Sequence, residues 1–234
     1  MRVIVKSAIA LAAATLVGSA LASPATAFNI EFEGTAGTNF NGGSSFNEAG
    51  MKLSVVDPNG SGFVGAGIGG GTCSISICPP RGSTYYAALT DGSLTLQNQQ
   101  GLGFTLHGFD LGFIATVFDP LLVGQVGQIV VTGQAAYGAK EVRFDLQGLL
   151  DDGTSQFAHF DFDLNFRSTW FSRINIAACI YDFDGSCKPG ESFNLAQFGL
   201  DSVAGQVIPE PATYALMGLA LGAAGFAGRR RRSA

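Results

Sequence analysis

Four cysteines stand in two close pairs along the sequence, Cys73 with Cys78 and Cys179 with Cys187. Four and seven residues separate the members of these pairs, which is not the spacing of a C-x-x-C zinc knuckle. In an oxidising compartment such cysteines form disulfides, and four of them allow three pairings. Their nearness in the sequence predicts two local disulfides, Cys73–Cys78 and Cys179–Cys187.

The segment between Cys179 and Cys187 carries two carboxylates, Asp182 and Asp184, followed by a turn glycine. Calcium takes several oxygen ligands from a bent loop, so these two side chains are the candidate metal ligands of the chain. Their spacing differs from the EF-hand pattern, and Glu191 is not in register for the last ligand of that pattern. A plain acidic turn explains the same residues. Calcium is therefore the one cofactor considered, and no other is expected.

Groups suited to acid–base catalysis are few. The two histidines, His107 and His159, each fall inside a predicted strand, and neither Gly-x-Ser-x-Gly nor His-Glu-x-x-His occurs. His159 and Asp161 would project to the same face, as a general base and its partner do, but a solvated face is the commoner reason for this pattern. Trp170, the single tryptophan, is expected in the core rather than stacked on a sugar ring. The sequence predicts that the protein is not an enzyme.

These residues lie on short segments in which apolar and polar residues alternate, as they do in half-buried strands. The Asp91-Gly92 turn predicts a hairpin between residues 85–89 and 93–98. Within residues 160–166 the alternation is strict, which would place Phe160, Phe162, Leu164 and Phe166 on one face. The remaining strands are predicted at 28–33, 51–56, 103–115, 128–132, 141–146, 157–166, 169–180 and 193–203.

The central region has no sustained 3.6-residue apolar period, so few helices are expected. About ten strands without helical crossovers predict an all-β fold, an antiparallel β-sandwich of jelly-roll type. Closure into a barrel is the alternative. With both ends of the chain set aside as targeting segments, this single domain spans residues 28–206.

The charge of the domain is strongly negative. Six of the thirteen basic residues lie in the two ends of the chain, as does one of the eighteen acidic residues, Glu210. Seven basic and seventeen acidic residues remain, a formal charge of about −10. Phosphate groups would be repelled, so the composition excludes nucleic acid as a partner but leaves divalent cations, or sugars bridged by them.

The first 27 residues have the order of a signal peptide. Arg2 and Lys6 form a basic start, an apolar stretch follows, and Ala25-Thr26-Ala27 supplies small residues at the −3 and −1 positions. Cleavage is predicted before Phe28, so that residues 1–27 are removed. Ala20-Leu21-Ala22 is the second choice of cleavage site, and an uncleaved anchor helix is the alternative. Export of this kind brings the domain into an oxidising compartment.

The last part of the chain, residues 207–234, contains three pieces in a fixed order. Pro209-Glu210-Pro211 forbids a helix and gives an extended segment that a processing enzyme can grip. Residues 212–228 would form an apolar helix of about 25 Å, slightly short of the ~30 Å hydrocarbon core. Arg229, Arg230, Arg231 and Arg232 would then hold the end of that helix in the cytoplasm and stop its transfer.

The Pro-Glu-Pro motif, the small-residue helix and the arginine cluster together resemble the PEP-CTERM sorting signal of Gram-negative bacteria. The resemblance implies that an integral-membrane exosortase with a cysteine nucleophile cuts near Pro209-Glu210-Pro211 and sends the protein onward. It also implies a class of proteins associated with exopolysaccharide and biofilm. Gln197-Phe198-Gly199-Leu200-Asp201 is similar to the Gln-Phe-x-x-Asp run of one subfamily, without implying an activity. An ordinary C-terminal membrane anchor is the alternative for the tail.

The sequence thus predicts an exported surface or extracellular-matrix protein that is anchored transiently in the inner membrane. After processing it would reside at the cell surface, in the outer membrane or in the extracellular matrix. An exosortase would be its processing partner, and exopolysaccharide is the further partner considered. A carbohydrate-binding module is the first alternative, which an aromatic platform on a sheet face would favour. A secreted hydrolase is the second, which a buried carboxylate pair in a cleft would favour.

Overall fold

The computed structural model describes residues 24–56, 61–66, 76–116, 122–192 and 195–208. These residues contain one 3-10 turn (Glu33–Thr35), one short helix, α1 (Leu164–Arg167), and fifteen strands. The strands are β1 (Thr26–Ile30), β2 (Thr38–Asn41), β3 (Ser45–Glu48), β4 (Met51–Val56), β5 (Ser61–Ala66), β6 (Ser76–Ile77), β7 (Thr84–Leu89), β8 (Ser93–Asn98), β9 (Phe104–Phe113), β10 (Ala115–Thr116), β11 (Gln125–Ala135), β12 (Gly138–Gln147), β13 (Phe157–Asp161), β14 (Phe171–Ile180) and β15 (Phe198–Val207). The all-β prediction is confirmed.

The long strands pair antiparallel in two halves. The first half, sheet I, has the order β2-β5-β7-β15-β9-β13, and β1 pairs with the second part of β15. The second half, sheet II, has the order β12-β11-β14-β8-β4-β3. In the described residues one pair, Phe171 with Phe104, joins the two halves. This nearly closed arrangement agrees with the predicted antiparallel β-sandwich.

Apolar side chains from both sheets fill the space between them. Phe109 of β9 contacts Phe144 of β12 edge-on, with ring centroids 5.8 Å apart. Phe109 also lies 5.5 Å from Phe162, which follows β13. Aromatic pairs prefer such edge-on contacts, and burying their large surfaces contributes strongly to stability. The core therefore lies between sheets I and II and leaves one outer face on each.

The predicted hairpin between β7 and β8 is wrong, although both strands lie where the pattern places them. Gly92 N donates to Leu89 O at 3.0 Å, so a tight turn is present. However, β7 pairs with β5 and β15 in sheet I, whereas β8 pairs with β4 and β14 in sheet II. Both strands are buried on both faces over most of their length, and each has partners on both edges. Asp91 instead accepts hydrogen bonds from Ser192 N and Ala196 N, both at 3.0 Å.

The predicted strand at 157–166 is wrong beyond Asp161, where β13 ends. Asp163 caps α1 by accepting a hydrogen bond from Phe166 N at 2.7 Å. A helical turn moves side chains out of the period-two register, so Phe162 and Phe166 are buried while Leu164 is 83% exposed. The capping aspartate thus outweighs the alternation of its neighbours.

Two further predictions concern the burial of Trp170 and the helices that would enter a membrane. Trp170, expected in the core, is 53% exposed between α1 and β14. Among the residues described, no helix is long and apolar enough to cross a membrane. The predicted helix at 212–228 and the apolar part of the signal peptide lie outside the described residues.

Candidate functional site

Three neighbouring strands of sheet I carry ionisable side chains on one lateral line. Asp110 of β9 is paired on one side with Asp201 of β15 and on the other with His159 of β13. Directly opposed residues of a sheet project to the same face. The backbone register therefore brings these three side chains together on the outer face of sheet I.

Arg81 lies in the segment before β7 and contacts both carboxylates of this line. Its Nη2 is 2.5 Å from Asp110 Oδ2, and its Nε is 2.6 Å from Asp201 Oδ2. Arg81 also donates to the hydroxyls of Ser83 and Ser202, at 3.1 and 3.0 Å. Ser83 in turn donates to Asp201 Oδ2 at 2.8 Å. The guanidinium thus ties two strands to the segment that crosses them.

We call Arg81, Asp110, Asp201 and His159 the Arg81 cluster. Its side-chain exposure rises along the line, from 2% for Asp201 to 18% for Asp110 and 57% for His159. The cluster therefore has a buried end at β15 and a solvent-facing end at β13.

Burial raises the pKa of the Asp201 carboxyl, although Ser83 and Arg81 act in the opposite direction. Burial acts in the same sense on Asp110, but hydrogen bonds from His159 and Arg81 outweigh it and hold the pKa of Asp110 below its usual value. For the guanidinium, burial lowers the pKa of Arg81, and the two carboxylates more than offset this. Arg81 and Asp110 are therefore held in their charged forms.

His159 completes the exposed end of the cluster. Its Nδ1 lies 2.6 Å from Asp110 Oδ1 and its Nε2 3.5 Å from Asp161 Oδ1. The predicted neighbourhood of His159 and Asp161 is confirmed, but Asp110 is the closer partner. The hydrogen bond with Asp110 raises the pKa of His159, because it stabilises the imidazolium.

The segment that carries Arg81 also covers one end of the outer face of sheet I. The Arg81 guanidinium carbon lies 4.7 Å from the centre of the Phe157 ring, and Phe157 packs edge-on against Tyr85 at 5.2 Å. Cys78 packs against the same small apolar cluster. The contacts of Arg81 therefore fix this covering segment on the sheet.

The chemistry open to the Arg81 cluster follows from these contacts. Glycoside hydrolysis needs one protonated and one ionised carboxyl facing the sugar across a gap. Here the guanidinium lies between Asp110 and Asp201 and contacts both. The arrangement suits a structural ion-pair network with an exposed imidazole at its edge.

The predicted calcium ligands, Asp182 and Asp184, lie on an exposed loop. Asp182 accepts hydrogen bonds from the Ser186 hydroxyl at 2.6 Å and from Ser186 N and Asp184 N at 2.9 and 3.1 Å. These hydrogen bonds lower the pKa of Asp182 to about 2, and the bond from the Ser186 hydroxyl has the largest effect. Within the described residues no three His, Cys, Asp or Glu side chains form a metal-holding group. Calcium at this loop stays a prediction.

The cysteines behave as their spacing predicts where the structure describes them. Cys179 and Cys187 form a disulfide, so this predicted pair is confirmed. Cys78 is also disulfide-bonded. Its predicted partner, Cys73, lies outside the described residues.

The predicted signal cleavage site lies at the start of β1. Ala25 precedes the strand, while Ala27 and Phe28 are paired with Gln206 and Gly205 of β15. Cleavage before Phe28 would leave three of the five residues of β1 in the mature chain. The cleavage position stays a prediction. Pro209, Glu210, Pro211 and the arginines Arg229, Arg230, Arg231 and Arg232 lie outside the described residues.

Sequence reasoning identified His159 but missed Arg81 and Asp110. The available signal was Asp110 itself, the single carboxylate in the largely apolar and aromatic stretch of β9. A charged residue in such a strand indicates a partner, because an unpaired charge is costly to bury. Asp201, the last residue of the Gln-Phe-x-x-Asp run, gives the same signal in β15.

Two comparisons with known proteins use the amino-acid sequence of the chain. The PEP-CTERM protein-sorting motif matches residues 207–232. This motif is the substrate signal of exosortases and indicates export across the membrane to the cell surface. No curated protein matches the chain in sequence.

A structural comparison finds fourteen matching chains of solved structures. An arabinose-bound α-L-arabinofuranosidase has a TM-score of 0.36 and 10% identity, and the match covers 78% of this chain and 26% of the enzyme. A xylan-binding domain from CBM 22 has a TM-score of 0.34 and 11% identity, and the match covers 77% of this chain and 94% of that domain. The enzymatically active domain of tailspike protein 4 of bacteriophage CBA120 has a TM-score of 0.32 and 12% identity, with 69% and 20% covered. The chain thus spans about a quarter of the first protein and a fifth of the third.

Proposed function

We propose that this chain is a non-enzymatic surface or extracellular-matrix protein of a Gram-negative bacterium, processed by an exosortase and retained in the exopolysaccharide layer. The observation that carries the proposal is the sorting motif at residues 207–232, which begins at the last residue of β15. The domain is a β-sandwich that is complete before Pro209. Processing at the Pro-Glu-Pro motif therefore releases the whole sheet structure.

The route of delivery follows from the three parts of the tail. The helix predicted at 212–228 would serve as a temporary inner-membrane anchor, with Arg229 to Arg232 on the cytoplasmic side. Its length of about 25 Å and its small side chains make it a weak span. A weak span suits a segment that an exosortase removes. The protein then passes to the cell surface, the outer membrane or the matrix.

The state of the carboxylates supports a non-catalytic role for the domain. The two acidic side chains of the Arg81 cluster share one guanidinium, and the pKa of Asp110 is held low by His159 and Arg81 against the effect of burial. A general acid would need both a raised pKa and an open approach to substrate. Burial raises the pKa of Asp201, but the side chain of Asp201 is only 2% exposed and contacts Arg81. These groups instead join the covering segment to sheet I.

The Gln197–Asp201 run supports assignment to the Gln-Phe-x-x-Asp subfamily. All three signature residues are buried, with Phe198 in the main core and Asp201 bound to Arg81. Gln197 O accepts a hydrogen bond from Ile114 N at 3.0 Å. In this chain the run therefore has a folding role, which fits a signature that accompanies the sorting signal without encoding an activity.

A carbohydrate-binding module is the second candidate. The groove on the outer face of sheet II has no aromatic platform, but apart from Val56 it is lined by hydroxyl, amide and guanidinium side chains, and these favour this candidate. Such groups hydrogen-bond sugar hydroxyls and carboxylates. In this form the protein would bind the polysaccharide of the layer that retains it.

The proposal is tested by replacing the processing motif with Pro209→Ala, Glu210→Ala and Pro211→Ala together. The triple variant is expected to accumulate uncut in the inner membrane, because the extended segment can then become helical. The wild-type protein, taken from the cell surface or medium, should lack Ala212 to Ala234 by intact-mass measurement. Pro189→Ala, in an exposed loop of the domain, is the matched control and should be processed normally. Wild-type surface protein that keeps its arginine cluster would contradict the proposal.

A further inference from the structure

The outer face of sheet II carries a continuous polar row. The directly paired residues along this row are Thr132 of β11, Asn175 of β14, Thr95 of β8 and Ser54 of β4. At the β12 edge the row ends with Glu141, paired with Thr132. Paired residues of neighbouring strands lie about 5 Å apart, so the row crosses five strands over about 20 Å.

Three residues of this row, Thr132, Asn175 and Thr95, line a groove of about 310 Å³. Asn175 organises it, since its amide nitrogen donates to Ser93 Oγ at 3.1 Å and to Thr95 Oγ1 at 3.2 Å. Ser93 and Thr95 are buried, although they lie on the outer side of the sheet. The groove is lined by Val56, Ser93, Thr95, Thr132, Gln134, Arg173 and Asn175.

Two cations stand on the same face, one residue pair beyond the polar row. Arg173 lies two residues from Asn175 on β14 and is paired with Gln134. Lys52 lies two residues from Ser54 on β4 and is paired with Gln97. Within the described part of the chain neither side chain makes an ion pair or a side-chain hydrogen bond, whereas Arg81 and Arg143 each have a carboxylate partner.

The contrast with the rest of the domain makes these cations informative. The domain carries seventeen acidic and seven basic residues, so carboxylates to pair with Arg173 and Lys52 are abundant in the chain. The groove lining between them contains hydroxyl and amide side chains and no carboxylate. The formal charge of about −10 repels a polyanion from the domain as a whole, but the positive edge of this neutral polar groove is locally complementary to a ligand that has many hydroxyls and a negative charge.

We infer that the outer face of sheet II binds a carboxylated polysaccharide, with Arg173 as the carboxylate-binding residue. The inference rests on the proposed function and names the site and the ligand class for it. The Arg173 guanidinium can form two parallel hydrogen bonds to a uronate carboxylate. Thr132, Gln134 and Asn175 supply donors and acceptors for the sugar hydroxyls, and Lys52 extends the positive edge along the chain of sugars.

The composition of the groove also sets how the affinity responds to salt. Its lining contains no aromatic side chain, so hydrogen bonds and charge rather than ring stacking must hold the ligand. Arg173 and Lys52 are exposed, and exposed charges are screened beyond about 8 Å at physiological ionic strength. Binding should therefore weaken markedly as salt is added.

The test is affinity electrophoresis of the processed protein in native gels that contain polygalacturonate, its methyl ester or dextran. Wild-type protein is expected to be retarded by polygalacturonate and not by the methyl ester, which keeps the sugar hydroxyls but lacks the charge. Arg173→Gln should weaken that retardation about tenfold, because one charge-assisted pair is lost. Arg167→Gln, which removes another exposed arginine from helix α1, is the matched control and should behave as wild type.

The possible outcomes distinguish an error in the binding site from an error in the proposed function. Equal weakening by Arg173→Gln and Arg167→Gln would overturn the site, because it would show a general charge effect. Retardation by all three glycans that Arg173→Gln leaves unchanged would overturn the site while the proposed function stands. No retardation by any glycan, with thermal unfolding unchanged, would overturn the inference and remove glycan binding from the proposed function, whereas processing at the Pro-Glu-Pro motif would be unaffected.

Discussion

The two outer faces of the sandwich use arginine in opposite ways. On sheet I, Arg81 is largely buried and contacts two carboxylates from neighbouring strands. On sheet II, Arg173 is exposed beside a groove without a carboxylate. The first face is covered at one end by the segment that carries Arg81, and the second carries a polar groove. The comparison indicates that the environment, rather than the residue type, separates a structural arginine from one available for a ligand.

The energetics of ion pairs explain why the difference matters. Breaking a buried pair by removing one partner leaves an uncompensated charge and costs several kcal/mol. Exposed pairs are worth about 0–1 kcal/mol, and an exposed unpaired cation costs little. Substitutions on sheet I should therefore act on stability, and substitutions on sheet II on binding.

The largest effect is expected for Arg81→Met, which leaves Asp201 buried without its cation. The free energy of unfolding should fall by about 3–5 kcal/mol, measured by urea denaturation. Arg143→Met is the control, because the Arg143–Glu141 pair is 40% and 46% exposed and should cost less than about 1 kcal/mol. Adding Asp201→Leu to Arg81→Met should recover much of the loss. Equal losses for Arg81→Met and Arg143→Met would break the comparison.

A smaller effect is expected from the disulfide at the end of β14. Cys179→Ala with Cys187→Ala opens a loop with a sequence separation of eight. The chain-entropy estimate for a loop of this length is about 2–3 kcal/mol of lost stability. Thermal unfolding with and without reductant measures it, and reductant should have less effect on the double variant than on wild type. A double variant as stable as wild type would show that sheet II does not depend on this link.

His159, at the exposed end of the Arg81 cluster, should make a pH-dependent contribution to the free energy of unfolding. Because the pKa of His159 is raised above 6.5, protonated His159 stabilises the fold below pH 6.5, and this contribution is lost as the pH rises through the folded value. His159→Gln should remove it, as seen in denaturation curves measured on both sides of pH 6.5.

His107 serves as a control, because its pKa is shifted in the opposite direction from that of His159. Burial and the nearby Arg167 lower the pKa of His107. Its contribution to the stability of the fold is therefore present above pH 6.5 and is lost as the pH falls through the folded value. His107→Gln should therefore change the pH dependence of stability in the opposite sense from His159→Gln. The same change in both variants would contradict the assigned partners.

The smallest stability effect is expected for Arg173→Gln. The side chain makes no ion pair within the described residues and is exposed, so the free energy of unfolding should stay within about 0.5 kcal/mol of wild type. Arg81→Gln, measured alongside, should lose several times more. A loss for Arg173→Gln as large as that for Arg81→Gln would mean that the two faces do not differ.

The sequence predicted the strands better than their partners. Residues 51–56 and 93–98 were predicted as strands, and β4 and β8 have these bounds. The pairing of β7 with β8 was wrong, because a tight turn specifies a reversal of the chain and not that the two strands share a sheet. Which strand lies beside which depends on the burial of both faces, and that is settled by the whole domain.

The Arg81 cluster shows the same limit for the candidate site. His159 and Asp161 were recognised because they lie two residues apart on one strand. Arg81 and Asp201 are 120 positions apart in the sequence and meet only through the order β7-β15-β9. Contacts made along a strand were therefore predictable, and contacts made across the sheet were not.

The position of β15 has a consequence for the timing of assembly. This strand lies inside sheet I, between β9 on one edge and β7 and β1 on the other, yet among the described strands it is the last in the sequence. Sheet I cannot close while the chain is shorter than about residue 207, and its contacts span nearly the full length of the domain. Folding should therefore be slow and late, since distant contacts cost loop-closure entropy first.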